Sequence, residues 1–499
     1  MSISFQQIHP ISIDAAWPTQ PFQGFCLDSR KIVVGQIFIA LSSYSQPEKT
    51  RQFAQNALNA GALAIISETS LGLTNEWVCP EVRYLMGEWQ KQYLLAVDPV
   101  QPLRGIAVTG TNGKTTISRL IAELVSSQAT GCAVMGTTGN GILPNLTPST
   151  HTTLDALQLQ QALHDYAKQG ASFVALEASS HGLEQGRLNG CDLEIAVYSN
   201  LSRDHLDYHG TLEAYAEAKA LLFKFTTLKV VVINFDDAHA SVMLTAAKEN
   251  PSQPKVLTYS LTQMTADYHI ADLQYRLSGA SFTLMSPTGS YAVQSPLLGH
   301  FNVENLLASL IAAEYAGFSL AALVQFVPQL QGAPGRMQVI QDADRLFVVD
   351  YAHTPDALIQ VLTTLKRHVT GQLWAVFGCG GDRDRGKRPL MTQAALDHAN
   401  PVVLTSDNPR TENPEQIFAD MKQGIHFSEH NVHEIHDRRE AIKFVVAQAQ
   451  AGDIVVIAAK GHEHYQELDG VRHWFDDVVE VQSAINAQAH SVDSAYPAQ

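Results

Sequence analysis

A short apolar run, Gly105–Val108, leads directly into Thr109-Gly-Thr-Asn-Gly-Lys-Thr-Thr116. A helical pattern follows, with Ile117, Leu120, Ile121, Leu124 and Val125 on one face. Strand, glycine turn and amphipathic helix in that order predict one unit of an α/β sheet. The turn aims several backbone N–H groups and the positive end of the helix dipole at one point. Lys114 adds a positive charge there, and Thr115 offers a hydroxyl suited to Mg²⁺. Such a turn is a site for a nucleotide's phosphates. The usual phosphate loop has a glycine where Val108 stands, so this loop is the shorter one.

The chain has 499 residues, enough for about three domains. Its 45% apolar content is sufficient for full cores. A balance of 33 basic against 49 acidic residues gives −16, which argues against nucleic acid or an anionic membrane as partner. No apolar run approaches a membrane span, and the N-terminus lacks a signal pattern. The scattered cysteines Cys26, Cys79, Cys132, Cys191 and Cys379 lack metal-ligand spacing. Reduced thiols in a cytoplasmic protein, working as a monomer, are the expectation.

Three segments divide the chain by pattern: 1–102, 103–334 and 335–499. The first holds β-like runs at Gln36–Leu41 and Ala62–Ser67 around a helix at Arg51–Ala60. The second alternates apolar strands (Ser172–Leu176, Leu193–Tyr198, Val230–Asn234) with helices, as parallel sheets do, and residues 266–297 read as an antiparallel patch. In the third, the strands Leu346–Asp350, Leu373–Gly378, Val402–Ser406 and Ile454–Ala458 each end in a polar turn. Such ends are where α/β sheets bind ligands. The last dozen residues look frayed.

Several turns carry chemistry. Glu177, in Glu-Ala-Ser-Ser-His-Gly182, reads either as a Mg²⁺ ligand or as a solvated loop carboxylate. In Asn200–His209, His205 is a metal-ligand candidate or a surface histidine, while Asp204 and Asp207 suit helix capping. Lys219 is, by spacing alone, an ordinary helix lysine. The run Phe377–Pro389 joins a glycine turn to dense charge, which reads as a clamp for an anionic substrate or as a salt-bridged surface loop. Ser406-Asp-Asn-Pro-Arg410 is a proline-stiffened turn that could hold a zwitterion, carboxylate on Arg410 and ammonium on Asp407. Glu463, in Ala459-Lys-Gly-His-Glu, is a further ammonium partner.

Across nearly its whole length the chain resembles the Mur ligases, ATP-dependent enzymes that add amino acids in peptidoglycan synthesis. Its third segment resembles those members that add meso-diaminopimelate to UDP-N-acetylmuramoyl-L-alanyl-D-glutamate. The resemblance implies a small N-terminal α/β domain for the UDP moiety, a central P-loop-type ATPase domain with a mostly parallel sheet, and a Rossmann-like C-terminal domain for the amino acid. It implies ATP contacts at Gly110, Thr111, Asn112, Gly113, Lys114, Thr115, Thr116, Asn302 and Asn305, with Arg336 and Asp350 reaching phosphates and ribose from the third domain. It implies Mg²⁺ at Thr115, Glu177, His205 and a carbamylated Lys219, and a catalytic set of Lys114, Glu177, His205 and Lys219. For the muramoyl-dipeptide it implies Leu27, Ser29, Thr152, Thr153, Ser179, Gln185 and Arg187. For diaminopimelate it implies Arg388, Asp407, Asn408, Pro409, Arg410, Ala459 and Glu463.

Two departures stand out. Ser-Ser-Tyr-Ser-Gln-Pro47 replaces a glycine-rich loop, and Ala459 replaces a frequent glycine. The competing readings are the same ligase using L-lysine, a folate polyglutamylating ligase, and a nucleotide-dependent binding protein that ligates nothing.

Overall fold

The computed structural model describes residues 3–8, 20–42, 47–149, 151–276, 279–426 and 431–494. The chain divides into two units. One comprises Met1–Ile270, Met285–Gly289 and Glu304–Phe326, and the other Ala271–Leu284, Ser290–Val303 and Val327–Gln499.

The first unit contains two main sheets. The smaller has four parallel strands, Phe25–Cys26, Ile37–Ala40, Ala64–Ser67 and Glu76–Val78, and the helix Pro47–Asn59 crosses between its second and third. Both central strands are buried along their whole length, which is why they read as unbroken apolar runs. A long helix, Val82–Val97, follows and buries Val82, Met86 and Trp89 against Phe5 and Phe25.

The larger sheet has the order Asn145–Thr147, Gly139–Ile142, Gly131–Gly136, Ala171–Glu177, Arg104–Thr109, Leu193–Tyr198, Val230–Asn234, Lys255–Ser260. The last six are parallel neighbours. The helix Lys114–Ser126 buries Ile117, Leu120, Ile121, Leu124 and Val125, the face the sequence pattern picks out. Because the strands ending at Thr109, Glu177 and Tyr198 are adjacent and parallel, the turns after them emerge on one edge of the sheet. Three consecutive strands, Tyr268–Arg276, Gly279–Ser286 and Gly289–Ser295, lie where the antiparallel patch is expected, the greater part of each in the second unit. The last two are joined by two residues, a connection only antiparallel neighbours can use.

The second unit is built on a six-stranded sheet: Gln338–Asp342, Arg345–Asp350, Ile454–Ala458, Leu373–Phe377, Val402–Leu404, Val432–Glu434. Every neighbouring pair except the first is parallel. The turns after Asp350, Phe377, Leu404 and Ala458 therefore share the carboxyl edge.

One expectation is corrected. The C-terminal helix Asp477–Ser494 runs through most of the segment expected to fray, because it packs along the helix Arg438–Gln448 and buries Val481. Of the unusual loop up to Pro47, residues 43–46 lie outside the described residues. All five cysteines are free thiols, as expected. Among the described residues no helix is long and apolar enough to cross a membrane.

Candidate functional site

The phosphate turn is braced from its neighbours. Thr111 N donates to Asn200 O at 2.8 Å and Asn112 N to Asn200 Oδ1 at 3.0 Å, while Ser199 Oγ donates to Asn112 O at 2.5 Å. The amides of Thr111 and Asn112 are thus engaged, so anion binding falls to Gly113 and the first turn of the helix. Gly113 has φ +89°, and a Cβ there would stand 2.5 Å from Asn305 Oδ1. Only glycine lets Asn305 approach the loop this closely. Lys114 folds back so that its Nζ donates to Gly110 O at 2.8 Å and Thr111 O at 2.9 Å. Thr115 and Thr116 are buried at the helix start.

Lys219 is not an ordinary helix lysine. It is 1% exposed, its Nζ donates to Gly110 O at 2.8 Å, and it lies 4.2 Å from the centre of the Tyr215 ring one turn earlier. Burial, and then the nearby Lys114 charge, hold its amine well below the ordinary 10.5. A buried lysine pushed toward its neutral form is a nucleophilic amine, the species that adds CO₂ to become a carbamate. Sequence reasoning misses Tyr215, although an aromatic four residues before a lysine on one helix is a visible signal.

Glu177 is 2% exposed, so the solvated-carboxylate reading fails. Its Oε1 accepts from Thr137 N at 2.8 Å and its Oε2 from Thr137 Oγ1 at 3.3 Å. A Cβ on Gly136 would overlap that carboxylate. Nothing in the sequence marks Gly136 or Thr137, because their role comes from strand pairing across 40 residues of chain. His205 is half-exposed, has φ +52°, and stands 3.5 Å from Asp204. Its ring lies 5.1 Å from that of His181. Asp204 accepts the His205 amide and does not cap the long helix, whose cap is Thr211. Among the described residues no three His, Cys, Asp or Glu side chains gather closely enough to hold a metal. The Thr115 hydroxyl, at the start of its helix, and the Glu177 carboxylate, at the end of its strand, are hard oxygen donors, which fits a cation that keeps water and phosphate ligands.

Thr152, Thr153, Ser179, Gln185 and Arg187 are drawn into one network beside Glu177. Thr153 Oγ1 donates to Glu177 O at 2.9 Å and lies 3.0 Å from Ser179 Oγ, which caps the next short helix. Arg187 donates to Thr153 O at 2.8 Å and holds Gln185 Oε1 with two N–H groups. Thr152 Oγ1 is 3.2 Å from Thr137 Oγ1. Ser29 opens a single helical turn capped by Asp28, with Leu27 just before it.

In the second unit, Asp350 is buried and accepts from Met337 N at 2.7 Å and Ala352 N at 2.8 Å. Burial raises its pKa, against the pull of Arg336. Arg336 stacks 4.8 Å over Tyr351, and its buried Nε lacks a hydrogen-bond partner among the described residues. Asn302 donates to Leu298 O at 2.8 Å.

In the charged run Phe377–Pro389, Arg385 and Arg388 are salt-bridged. Arg388 is fully buried, with Glu412 at 2.6 Å, Asp420 at 2.7 Å and Gly380 O at 3.1 Å on its two Nη groups. Arg385 also bonds Asp420, at 2.8 Å. These two arginines are thus tied into ion pairs with Glu412 and Asp420, and Arg388 also holds the glycine turn at Gly380 O. The glycines serve close packing, since a Cβ on Gly378 or Gly381 would overlap the Thr405 or Pro409 carbonyl of the neighbouring turn.

That neighbouring turn, Asp407–Arg410, is held rigidly. Arg410 has φ +54°, donates its N–H to Glu467 O at 3.0 Å and accepts from Asp469 N at 2.7 Å. Its Nη1 reaches Gly381 O at 2.8 Å, and among the described residues nothing accepts from Nε or Nη2. Asn408 is 1% exposed: its Oδ1 takes Lys460 Nζ and Glu467 N, and its Nδ2 donates to Glu463 Oε2 at 2.8 Å. Ala459 adopts φ +91°, the region its usual glycine would favour.

The chain matches the Mur ligase middle domain over residues 108–313 and the Mur ligase glutamate ligase domain over residues 335–461. It is 42% identical over 469 residues to the UDP-N-acetylmuramoyl-L-alanyl-D-glutamate–2,6-diaminopimelate ligase of Ectopseudomonas mendocina (strain ymp), covering 92% of this chain and 94% of that one. It is 41% identical to the ligase of the same name from Pseudomonas aeruginosa PAO1, covering 96% and 99%. A solved structure of a ligase of that name aligns with a TM-score of 0.80 at 79% identity, covering 98% of this chain and all of that one. MurF from Acinetobacter baumannii, at 17% identity, shares the fold with a TM-score of 0.60.

Proposed function

The chain belongs to the Mur ligase family, and from that membership we propose that it joins meso-diaminopimelate to the D-glutamyl side-chain carboxylate of UDP-N-acetylmuramoyl-L-alanyl-D-glutamate, coupled to cleavage of ATP. Residues 1–102 take the UDP moiety, 103–334 the ATP and 335–499 the amino acid. The working form is a cytoplasmic monomer.

A carboxylate is a poor acyl donor, so the γ-phosphoryl group is first transferred to it. Lys114 and the amides of the first helical turn offset charge on the phosphoryl oxygens. Thr115, Glu177, His205 and a carbamylated Lys219 would hold Mg²⁺, which supplies further charge neutralisation at the phosphates when bound. The muramoyl-dipeptide lies along Thr152, Thr153, Ser179, Gln185 and Arg187, with Leu27 and Ser29 toward the uridine. The amine of diaminopimelate then attacks the acyl phosphate, and phosphate leaves from the tetrahedral intermediate.

The observation that carries the choice of amino acid is Arg410: its backbone is clamped on both sides and two of its guanidinium nitrogens are unspent. Diaminopimelate differs from lysine by a second carboxylate, which an arginine fork binds bidentately. Lysine would leave that fork unpaired. The deciding experiment is a coupled assay with ATP, the UDP-dipeptide, and each amino acid in turn. Product with meso-diaminopimelate and about 10²-fold or more poorer turnover with lysine is expected. Comparable turnover with lysine, or none with diaminopimelate, overturns the reading.

A further inference from the structure

Behind the Asp407–Arg410 turn lies a lysine that no sequence signal marks as functional. Lys460 is fully buried, just past the strand Ile454–Ala458. Its ammonium donates to Asn408 Oδ1 at 3.0 Å and Glu463 Oε2 at 3.2 Å, and stands 3.5 Å from Asp407 Oδ1. Those three residues come from two different turns. A buried ion pair is weak evidence of stabilisation, since apolar replacements often do as well, so its retention needs another reason.

The reason is in what the lysine leaves over. It takes one oxygen of Glu463 and leaves Oε1 with no partner among the described residues. Asp407 Oδ1 is buried beside it without a hydrogen bond among the described residues. Asn408 ties Lys460, Glu463 and the Glu467 amide together, which fills its amide oxygen. Two carboxylates brought this close repel each other, and a fixed cation between them holds both in place.

We propose that Lys460 is a positioning residue for the incoming amino acid: it sets Asp407 and Glu463 at a fixed spacing so that the substrate's ammonium completes their hydrogen bonding. Arg438 supports it from below, donating to Ala458 O at 2.8 Å while bound to Asp477. The proposal rests on the ligase reading, but only on its requirement for an α-amino acid. Wild-type turnover is the control for that reading. If the wild type uses another amino acid, the same variants are measured with that one.

The test is steady-state kinetics on Lys460→Met, Glu463→Gln and the double variant. Lys460→Met should raise KM for the amino acid about tenfold or more while kcat and KM for ATP stay within about threefold. The double variant should be no worse than the worse single one, because the lysine acts through Glu463. Additive losses, or an equal rise in KM for ATP, overturn the proposal. So does failure of both Lys460→Met and the double variant to fold, since the lysine would then serve the fold alone.

Discussion

Lys219 and Gly110 meet through a single hydrogen bond, 2.8 Å from amine to carbonyl oxygen, at a point sealed from solvent. The amine thereby touches the backbone of the phosphate turn, 109 residues away in sequence. Placed there as a carbamate, it would put a carboxylate beside the nucleotide's phosphates.

Lys219→Met should lower kcat by about 10²-fold or more, because it removes the amine that the proposed carbamylation turns into a carboxylate. Its melting temperature should equal or exceed that of the wild type. The folded amine titrates well below the ordinary 10.5, so between the two values the unfolded chain binds a proton the folded one does not. Wild-type stability in CO₂-free buffer must then rise with pH through that window, and the variant should flatten the rise. Urea unfolding at several pH values measures it. Bicarbonate should raise wild-type activity and leave the variant unchanged.

Gly136→Ala tests how Glu177 is held. The added methyl has nowhere to go except into the carboxylate, whose two oxygens also take the Thr137 amide and hydroxyl. A loss of about 10²-fold in kcat is expected, with only about 1–3 kcal/mol of stability. Shortening the acid in Gly136→Ala/Glu177→Asp should recover part of the activity. No recovery would mean that the strand itself, and not the carboxylate, is displaced.

Much of this is legible in the chain, for a physical reason. Strands buried on both faces are written as apolar runs, and the turns beyond them as polar punctuation, so pattern locates Thr109–Thr116, Glu177 and Asp407–Arg410. What pattern cannot tell is which charges the fold buries. Arg388 and Arg410 look alike in sequence, yet one is locked by Glu412 and Asp420 and the other keeps most of its fork unspent. Lys219 reads as solvated and is sealed. Lys460 and Thr137 gain their meaning only from pairings between distant turns.

The Arg438–Asp477 pair is fully buried on both sides and bridges two nitrogens to two oxygens at 2.7 Å each. Removing one partner strands a charge in the core. Asp477→Ala should therefore cost about 3–5 kcal/mol by urea unfolding, whereas Arg438→Met/Asp477→Leu should recover much of that loss. The double variant should still show a raised KM for the amino acid, because Arg438 no longer holds Ala458 O. A normal KM in a stable double variant would show that the pair serves stability only.

At Ala459 the residue disagrees with its backbone. At φ +91° its Cβ crowds the chain, a cost of about 1–2 kcal/mol for a residue other than glycine. Ala459→Gly removes that strain but gives the unfolded chain more freedom, an offset of roughly 0.5–1 kcal/mol. The balance is a gain of about 0.5–1 kcal/mol, readable as a small rise in melting temperature. Since the backbone already occupies the glycine region, Lys460 and Glu463 keep their places, and KM for the amino acid should stay within about twofold. A loss of stability would mean that the Ala459 methyl, which is 4% exposed, contributes more through packing than its backbone costs in strain.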